Sequence, residues 1–166
     1  EVLLEPGTID YIWMGGCEWL TPPMGSPRLY EELVQPFEKE IINRIHKAGI
    51  LCHVHCHGRV RSTIKMMVER GVDFTEPVEP PPDGDLTFAE AKELAEGKMT
   101  LGGNIEANLL CNGSADEVEK AVREAFEGGK ERMLLKETAG FIGEVTPRII
   151  ENYNRMIDVW EELSWM

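Results

Sequence analysis

The chain has 166 residues, of which 42% are apolar and 28% are charged, so it can bury the core of one domain without disulfides or a structural metal. Its net charge of −13 repels phosphate backbones and anionic lipid, which argues against nucleic acid and membrane surfaces as partners. Its apolar runs fall short of the roughly 20 residues that a membrane helix needs, and its four cysteines sit in an intracellular-type α/β pattern, so we expect a cytoplasmic protein with reduced thiols.

Short apolar runs alternate five times with amphipathic segments that carry helix-start signals. The runs are residues 9–14, 50–58, 72–76, 99–105 and 132–137. The helices predicted after them span residues 27–48, 59–70, 87–96, 114–127 and 147–163. Strands separated by helices run parallel, so the pattern predicts either an open doubly wound sheet or part of an eight-stranded barrel.

Several helix boundaries have a local physical cause. Thr87 with Glu90 and Ser114 with Glu117 have the spacing of capping boxes, in which a hydroxyl and a carboxylate satisfy free backbone N–H groups. Pro36 lies inside the first predicted helix and removes a hydrogen-bond donor there. We therefore expect that helix to be kinked or split.

The second apolar run contains three of the four histidines of the chain. Because side chains alternate along a strand, His53, His55 and His57 are predicted on one face, whereas Cys52 and Cys56 point to the helices. The histidines, and not the cysteines, are therefore the candidate ligands in this strand.

Polar side chains also follow the other predicted strands. Parallel strands place all their carboxyl ends at one face, which is where ligands bind in such folds. The residues expected to gather there are Cys17, Glu18, His55, His57, Glu76, Glu79, Asn104, Glu106, Lys136 and Glu137.

Three segments together resemble the last strands of the uroporphyrinogen decarboxylase superfamily, which also contains corrinoid-protein and methylcobamide:coenzyme M methyltransferases. They are the sequence His-Cys-His-Gly at residues 55–58, the sequence Leu-Gly-Gly-Asn-Ile-Glu at 101–106, and the helix that follows Thr146 and Pro147. The resemblance implies an α/β fold of the (β/α)8 TIM-barrel type, with about five C-terminal β/α units in a single partial-barrel domain over residues 1–166. Residues 1–6 then resemble the end of a preceding helix.

The resemblance also implies a metal site. Zinc-dependent methyltransferases of the superfamily carry His-x-Cys-Gly in this strand, so His55 takes the histidine position and His57 stands where the first cysteine would be. Their second cysteine is absent around residues 138–141, and so is the histidine that the decarboxylases keep there. A third ligand must then come from a neighbouring strand. Glu76 is the first choice, and the others, in order, are Glu79 and then Cys17 or Glu18.

A simpler interpretation is that His53, His55 and His57 line the barrel and form hydrogen bonds to Glu76, Asn104 and water without a metal. The candidates for substrate binding are Asn104, Glu106, Arg59 and Lys136. Arg59 could bind an anionic substrate or remain solvated at a helix start, and Lys136 could pair with Glu137.

The leading functional hypothesis is metal-assisted methyl transfer from a corrinoid to a small-molecule thiol. It names His55, His57 and Glu76 as catalytic residues, zinc as the metal and a corrinoid protein as partner. One alternative is uroporphyrinogen decarboxylase itself, which needs no cofactor. Another is a non-catalytic or truncated barrel domain. A missing barrel half or a homo-oligomer could complete the fold, although two copies would supply ten strands and not eight.

Overall fold

A computed structural model describes residue 7 and residues 9–165, so the helix end expected at residues 1–6 lies outside the described part. Five strands form one sheet, and seven α-helices accompany them among these residues. The strands are β1 (Tyr11–Met14), β2 (Leu51–His55), β3 (Phe74–Val78), β4 (Thr100–Ile105) and β5 (Met133–Glu137). The helices are α1 (Pro27–Leu33), α2 (Gln35–Lys47), α3 (Ile64–Arg70), α4 (Phe88–Ala95), α5 (Ala107–Asn112), α6 (Ala115–Ala125) and α7 (Pro147–Ser164).

The sheet is parallel, and its strands lie side by side in chain order from β1 to β5. A doubly wound sheet would reverse its order at a switch point. Sequential order without reversal is the arrangement of a barrel segment. The structure therefore confirms the TIM-barrel type, present here as five of the β/α units.

The local helix signals are confirmed. Both predicted capping boxes form, with Thr87 accepting from the Glu90 N–H and Ser114 from the Glu117 N–H. The first predicted helix is split into α1 and α2, with Pro36 in the first turn of α2. Backbone N–H groups in the first turn have no acceptor within the helix, so the proline removes no hydrogen bond there.

Several boundaries differ from the prediction, and one helix was not predicted. β2 ends at His55 and not at residue 58. β3 begins at Phe74 and not at residue 72, because the chain first makes a turn after α3. The helix predicted from residue 59 begins as a 3-10 turn at Val60–Ser62. The additional helix α5 has no capping side chain, and it packs against α7, where the buried Asn152 side chain donates to the Leu110 and Gly113 carbonyls.

The main core lies between the outer face of the sheet and the helices. Cys52, Val54 and Cys56 are buried there, as the strand alternation predicts. The inner face of β2 therefore carries His53 and His55, and His57 follows just beyond the end of the strand. A second core cluster lies beneath β4, α5, α6 and α7. No helix among the described residues is both long and apolar enough to cross a membrane.

Candidate functional site

The site begins with the pairing of β2 and β3, in which His55 lies opposite Glu76. Nδ1 of His55 is 2.7 Å from Oε1 of Glu76, and Nε2 of His53 is 3.1 Å from the same oxygen. A carboxylate can only accept, so both imidazoles donate to it. Glu76 is thus shared by two histidines that strand alternation places on one face.

Glu76 has a third partner, since Nζ of Lys136 on β5 donates to its Oε2 at 2.9 Å. The residue is only 4% exposed. Burial alone would raise the pKa of Glu76, but the hydrogen bonds from His53, Lys136 and His55 outweigh it and hold the pKa well below its usual range. Glu76 is therefore a buried carboxylate that stays ionised.

A second histidine–carboxylate pair lies beyond the end of β2. Nδ1 of His57 donates to Oε1 of Glu79 at 2.8 Å, and the Gly58 N–H donates to Oε2 of Glu79 at 2.6 Å. The hydrogen bond to Glu79 raises the pKa of His57 against the effect of burial. Burial would raise the pKa of Glu79, but the bonds from His57 and Gly58 lower it overall. The pair therefore favours an imidazolium beside a carboxylate.

The two pairs adjoin each other. The rings of His55 and His57 meet edge to face with centroids 4.7 Å apart, and the Trp13 ring lies 5.4 Å from that of His55. Within the described part of the chain, Nε2 of His55 and Nε2 of His57 make no hydrogen bond, and both side chains are partly accessible. An imidazole oriented through Nδ1 by a carboxylate, with Nε2 free, is suited to proton transfer.

Asn104 and Glu106 make no side-chain hydrogen bond to this cluster within the described residues. They line a cavity of about 760 Å³ together with the proline loop at residues 80–82. Oε2 of Glu106 accepts from the Thr138 hydroxyl at 3.2 Å, and burial raises the pKa of the Glu106 carboxyl. Asn104 lies opposite Lys136 in the register of β4 and β5, but among the described residues neither the Asn104 nor the Glu106 side chain makes a hydrogen bond to the Lys136 ammonium.

Arg59 and Lys136 are the other two residues predicted to bind substrate. The Arg59 N–H donates to the Pro22 carbonyl, while its side chain is exposed. Lys136 pairs with Glu76 and not with Glu137, because β5 places its side chain on the inner face. The suggested Lys136–Glu137 pair is wrong.

The proposed cysteine and glutamate ligands of the first loop are engaged elsewhere. Cys17 is buried, and its thiol donates to the His55 carbonyl at 3.7 Å. Oε2 of Glu18 accepts from the Gly16 N–H at 2.8 Å within its own loop. Cys56 contacts the Thr21 hydroxyl at 3.2 Å on the helix side. Among the described residues, none of these groups forms a hydrogen bond to a side chain of the two histidine–carboxylate pairs, although the Glu18 charge contributes to the raised pKa of His57.

The donor set does not fit a three-ligand metal site in this arrangement. His55 and Glu76 are in contact, but His57 pairs with Glu79, and the Lys136 ammonium already supplies the positive charge beside Glu76. Across residues 9–165 no group of three or more His, Cys, Asp and Glu side chains could hold a metal ion. Zinc stays a prediction from the resemblance.

One contributor was missing from the predicted site, and another appeared only in the interpretation without a metal. That interpretation has His53 bound to Glu76, and His53 does share Glu76 with His55. Gly102 lies on β4 beside Glu76, where a Cβ atom would come within 2.8 Å of the Glu76 Cβ and of the Phe74 ring. Only the three-dimensional spacing of the strands reveals that role.

Comparison with known proteins agrees with this architecture. A solved structure of a methyltransferase from Methanosarcina mazei superposes with a TM-score of 0.74 and 21% identity, covering 95% of this chain and 43% of the methyltransferase. That likeness shows the shared fold, and the chain spans less than half the length of that enzyme. No curated protein sequence matches the chain. The family model for uroporphyrinogen decarboxylase (URO-D) matches residues 21–162, and the chain therefore belongs to the uroporphyrinogen decarboxylase family.

Proposed function

We propose that the protein transfers a methyl group to a small-molecule thiol and that His55, oriented by Glu76, removes the thiol proton. The observation that carries the proposal is the 2.7 Å contact between Nδ1 of His55 and the ionised, buried Glu76 carboxylate. A base held by a carboxylate is the arrangement that activates weak nucleophiles. The likeness of the fold to a methyltransferase supports this choice of reaction within the family.

The proton and electron balance of the step is simple. Nε2 of His55 accepts the thiol proton, and the resulting thiolate attacks the methyl carbon of the donor. A sulfur–carbon bond forms, the bond between donor and methyl carbon breaks, and its electron pair stays with the donor. The Glu76 carboxylate stabilises the imidazolium that His55 becomes. A corrinoid carried by a partner protein is the donor that the family resemblance suggests.

The test uses the purified protein with methylcobalamin as donor and a small thiol as acceptor. We expect His55→Ala to slow thiol methylation by about 100-fold or more, the usual range for losing a general base. His46→Ala is the matched control, because that imidazole pairs with Asp73 outside the site. An excess of chelator should leave the rate unchanged, whereas a rate that requires added zinc would favour the metal-assisted hypothesis.

Decarboxylation is the second candidate, and the His57–Glu79 pair is the observation that favours it. Decarboxylation requires a proton donor for the carbon that loses CO2, and the raised pKa of His57 keeps its imidazolium available. The measurement is release of CO2 from a porphyrinogen. Loss of that release in His57→Gln, with normal release in His55→Ala, would support decarboxylation. Absence of both activities would favour a non-catalytic barrel domain.

A further inference from the structure

The Glu76–Lys136 contact joins two strands that are not neighbours. Glu76 is on β3 and Lys136 is on β5, and β4 runs between them. The contact nevertheless measures 2.9 Å. The two side chains must therefore meet above β4, over a position where that strand presents little bulk.

Gly102 provides that position. It carries no side chain, and a Cβ atom there would lie 2.8 Å from the Glu76 Cβ, closer than real Cβ contacts allow. Its backbone φ is ordinary, so the position needs glycine for space and not for backbone conformation. The glycine opens the inner face of β4 at the level where Glu76 and Lys136 approach each other.

We propose that Lys136 is a positioning residue: reaching over Gly102, its ammonium holds the Glu76 carboxylate in place against His53 and His55. This inference deepens the proposed function and rests on it, since Lys136 acts on the reaction only through Glu76 and His55. It also replaces the prediction that Lys136 binds substrate, because the ammonium is already committed to Glu76.

The charges around Glu76 explain why the Lys136 ammonium is needed to keep the Glu76 carboxylate ionised. β2 contributes His53 and His55, β5 contributes Lys136, and β4 contributes no charge, since it presents Gly102 and, opposite Lys136, Asn104. Asp73 and Arg132, which directly precede β3 and β5, line a pocket together with Glu76 and Lys136. Lys136 is thus the permanent cation in direct contact with Glu76, and a buried carboxylate without it binds a proton more readily.

The first experiment compares Lys136→Met with Lys136→Arg. Without the ammonium, one positive charge beside the His55–Glu76 pair is lost, so the pair binds a proton more readily and the acidic limb of the pH–rate profile for thiol methylation should move upward by about one pH unit. Lys136→Arg keeps the charge and should restore the profile. An unchanged acidic limb in Lys136→Met would overturn the inference, because loss of a substrate ligand would raise KM without moving that limb.

A readout independent of activity separates this inference from the proposed function. Carbon-13 NMR of labelled glutamate carboxyls follows the protonation of Glu76 directly, with Glu76→Gln identifying its signal. A higher pKa of Glu76 in Lys136→Met supports the positioning role even if no thiol is methylated. If Glu76 titrates identically in Lys136→Met and in the unsubstituted protein, the positioning role of Lys136 is refuted, even if methylation is found.

The glycine supplies a second, independent variant. Gly102→Ala should push Glu76 away from Lys136 and reproduce the carboxyl titration of Lys136→Met. Gly140→Ala is the matched control, because a Cβ atom there would meet nothing within 4 Å. Circular dichroism checks that both variants fold. If the well-folded Gly102→Ala titrates like Gly140→Ala, the glycine has no part in the contact and the inference is wrong.

Discussion

Glu76 combines properties that rarely occur together in a side chain. It is nearly inaccessible to water, yet it is ionised and shared by two imidazoles and an ammonium. Burying a lone carboxylate is costly, whereas three charge-assisted or polar donors offset that cost. The residue therefore orients His55 without competing for its proton, which is the property that the proposed reaction needs.

The pH dependence of stability should reveal the His57–Glu79 pair. The pKa of His57 is raised above its ordinary value of 6.5. Its contribution to the free energy of unfolding is therefore complete below pH 6.5 and is lost as the pH rises through the pKa of the folded state. The pKa of Glu79 is lowered from 4.5, so its contribution is present above pH 4.5 and is lost as the pH falls through the folded pKa.

We therefore expect His57→Gln to destabilise the fold most between about pH 4.5 and 6.5 and less on either side. Urea unfolding of both proteins across pH 3 to 9 measures the difference in the free energy of unfolding. A difference that stays constant with pH would mean that the two side chains do not titrate as a pair.

At the scale of residues, the sequence predicts the His55–Glu76 pair and misses the His57–Glu79 pair. Strand alternation and parallel register bring His55 to Glu76, because β2 and β3 are direct neighbours. The register of β3 against β4 shifts between Thr75 and Val78, and the chain after β3 then delivers Glu79 to His57. The Lys136 contact with Glu76 crosses β4, where Gly102 lies beside Glu76. Neither effect follows from spacing along the chain.

At the scale of elements, Arg70 connects three helices. Its guanidinium, at the end of α3, lies 2.7 Å from Glu38 on α2 and donates to the Tyr30 hydroxyl on α1 at 2.6 Å and to Gln35 at 3.1 Å. The residue is only 2% exposed. These contacts hold the helical layer that backs β1 and β2.

Arg70→Met should lower the free energy of unfolding by about 3 to 5 kcal/mol, because it leaves the Glu38 charge partly buried without its partner. Arg28→Met is the matched control, since Arg28 forms an exposed pair with Glu32 in α1, and we expect a change of about 0.5 kcal/mol or less. Denaturant unfolding measures both. Equal effects of the two substitutions would contradict the bridging role of Arg70.

Elements with strong local signals are the ones that the sequence predicts well. The capping boxes at Thr87 and Ser114 satisfy backbone N–H groups within one turn, so α4 and α6 can be recognised without the rest of the fold. Helix α5 has no such signal and depends on Leu110 and on Asn152 of α7. Tertiary contacts therefore determine whether helix α5 forms.

At the scale of the whole molecule, the sheet is open in the described residues. β1 and β5 each pair with one neighbour, and the inner face exposes about half of the Tyr11, Trp13, Leu51 and Leu134 side chains. Unpaired edges and apolar surface both promote association. The β/α alternation predicts parallel strands but leaves the doubly wound order and the barrel order both open, and nothing in the sequence of this chain states what covers that face.

We expect residues 1–166, produced alone, to self-associate through this inner face. Leu134→Lys should weaken the association, because a charge there must be buried at the contact. Ile142→Lys is the control, since Ile142 is fully exposed in the loop before α7. Light scattering after size-exclusion chromatography measures the mass. A monomer at all concentrations would contradict the prediction.

The central claim is that His55 and Glu76 act as one catalytic unit, and a double-mutant cycle on thiol methylation tests it most directly. The measurement compares kcat/KM for His55→Ala, Glu76→Gln and the double variant, with Glu161→Gln as an exposed control. If Glu76 acts only through His55, the double variant should be no slower than His55→Ala alone. The claim would be contradicted if the two single reductions in kcat/KM multiplied in the double variant. It would also be contradicted if Glu76→Gln were as fast as the control.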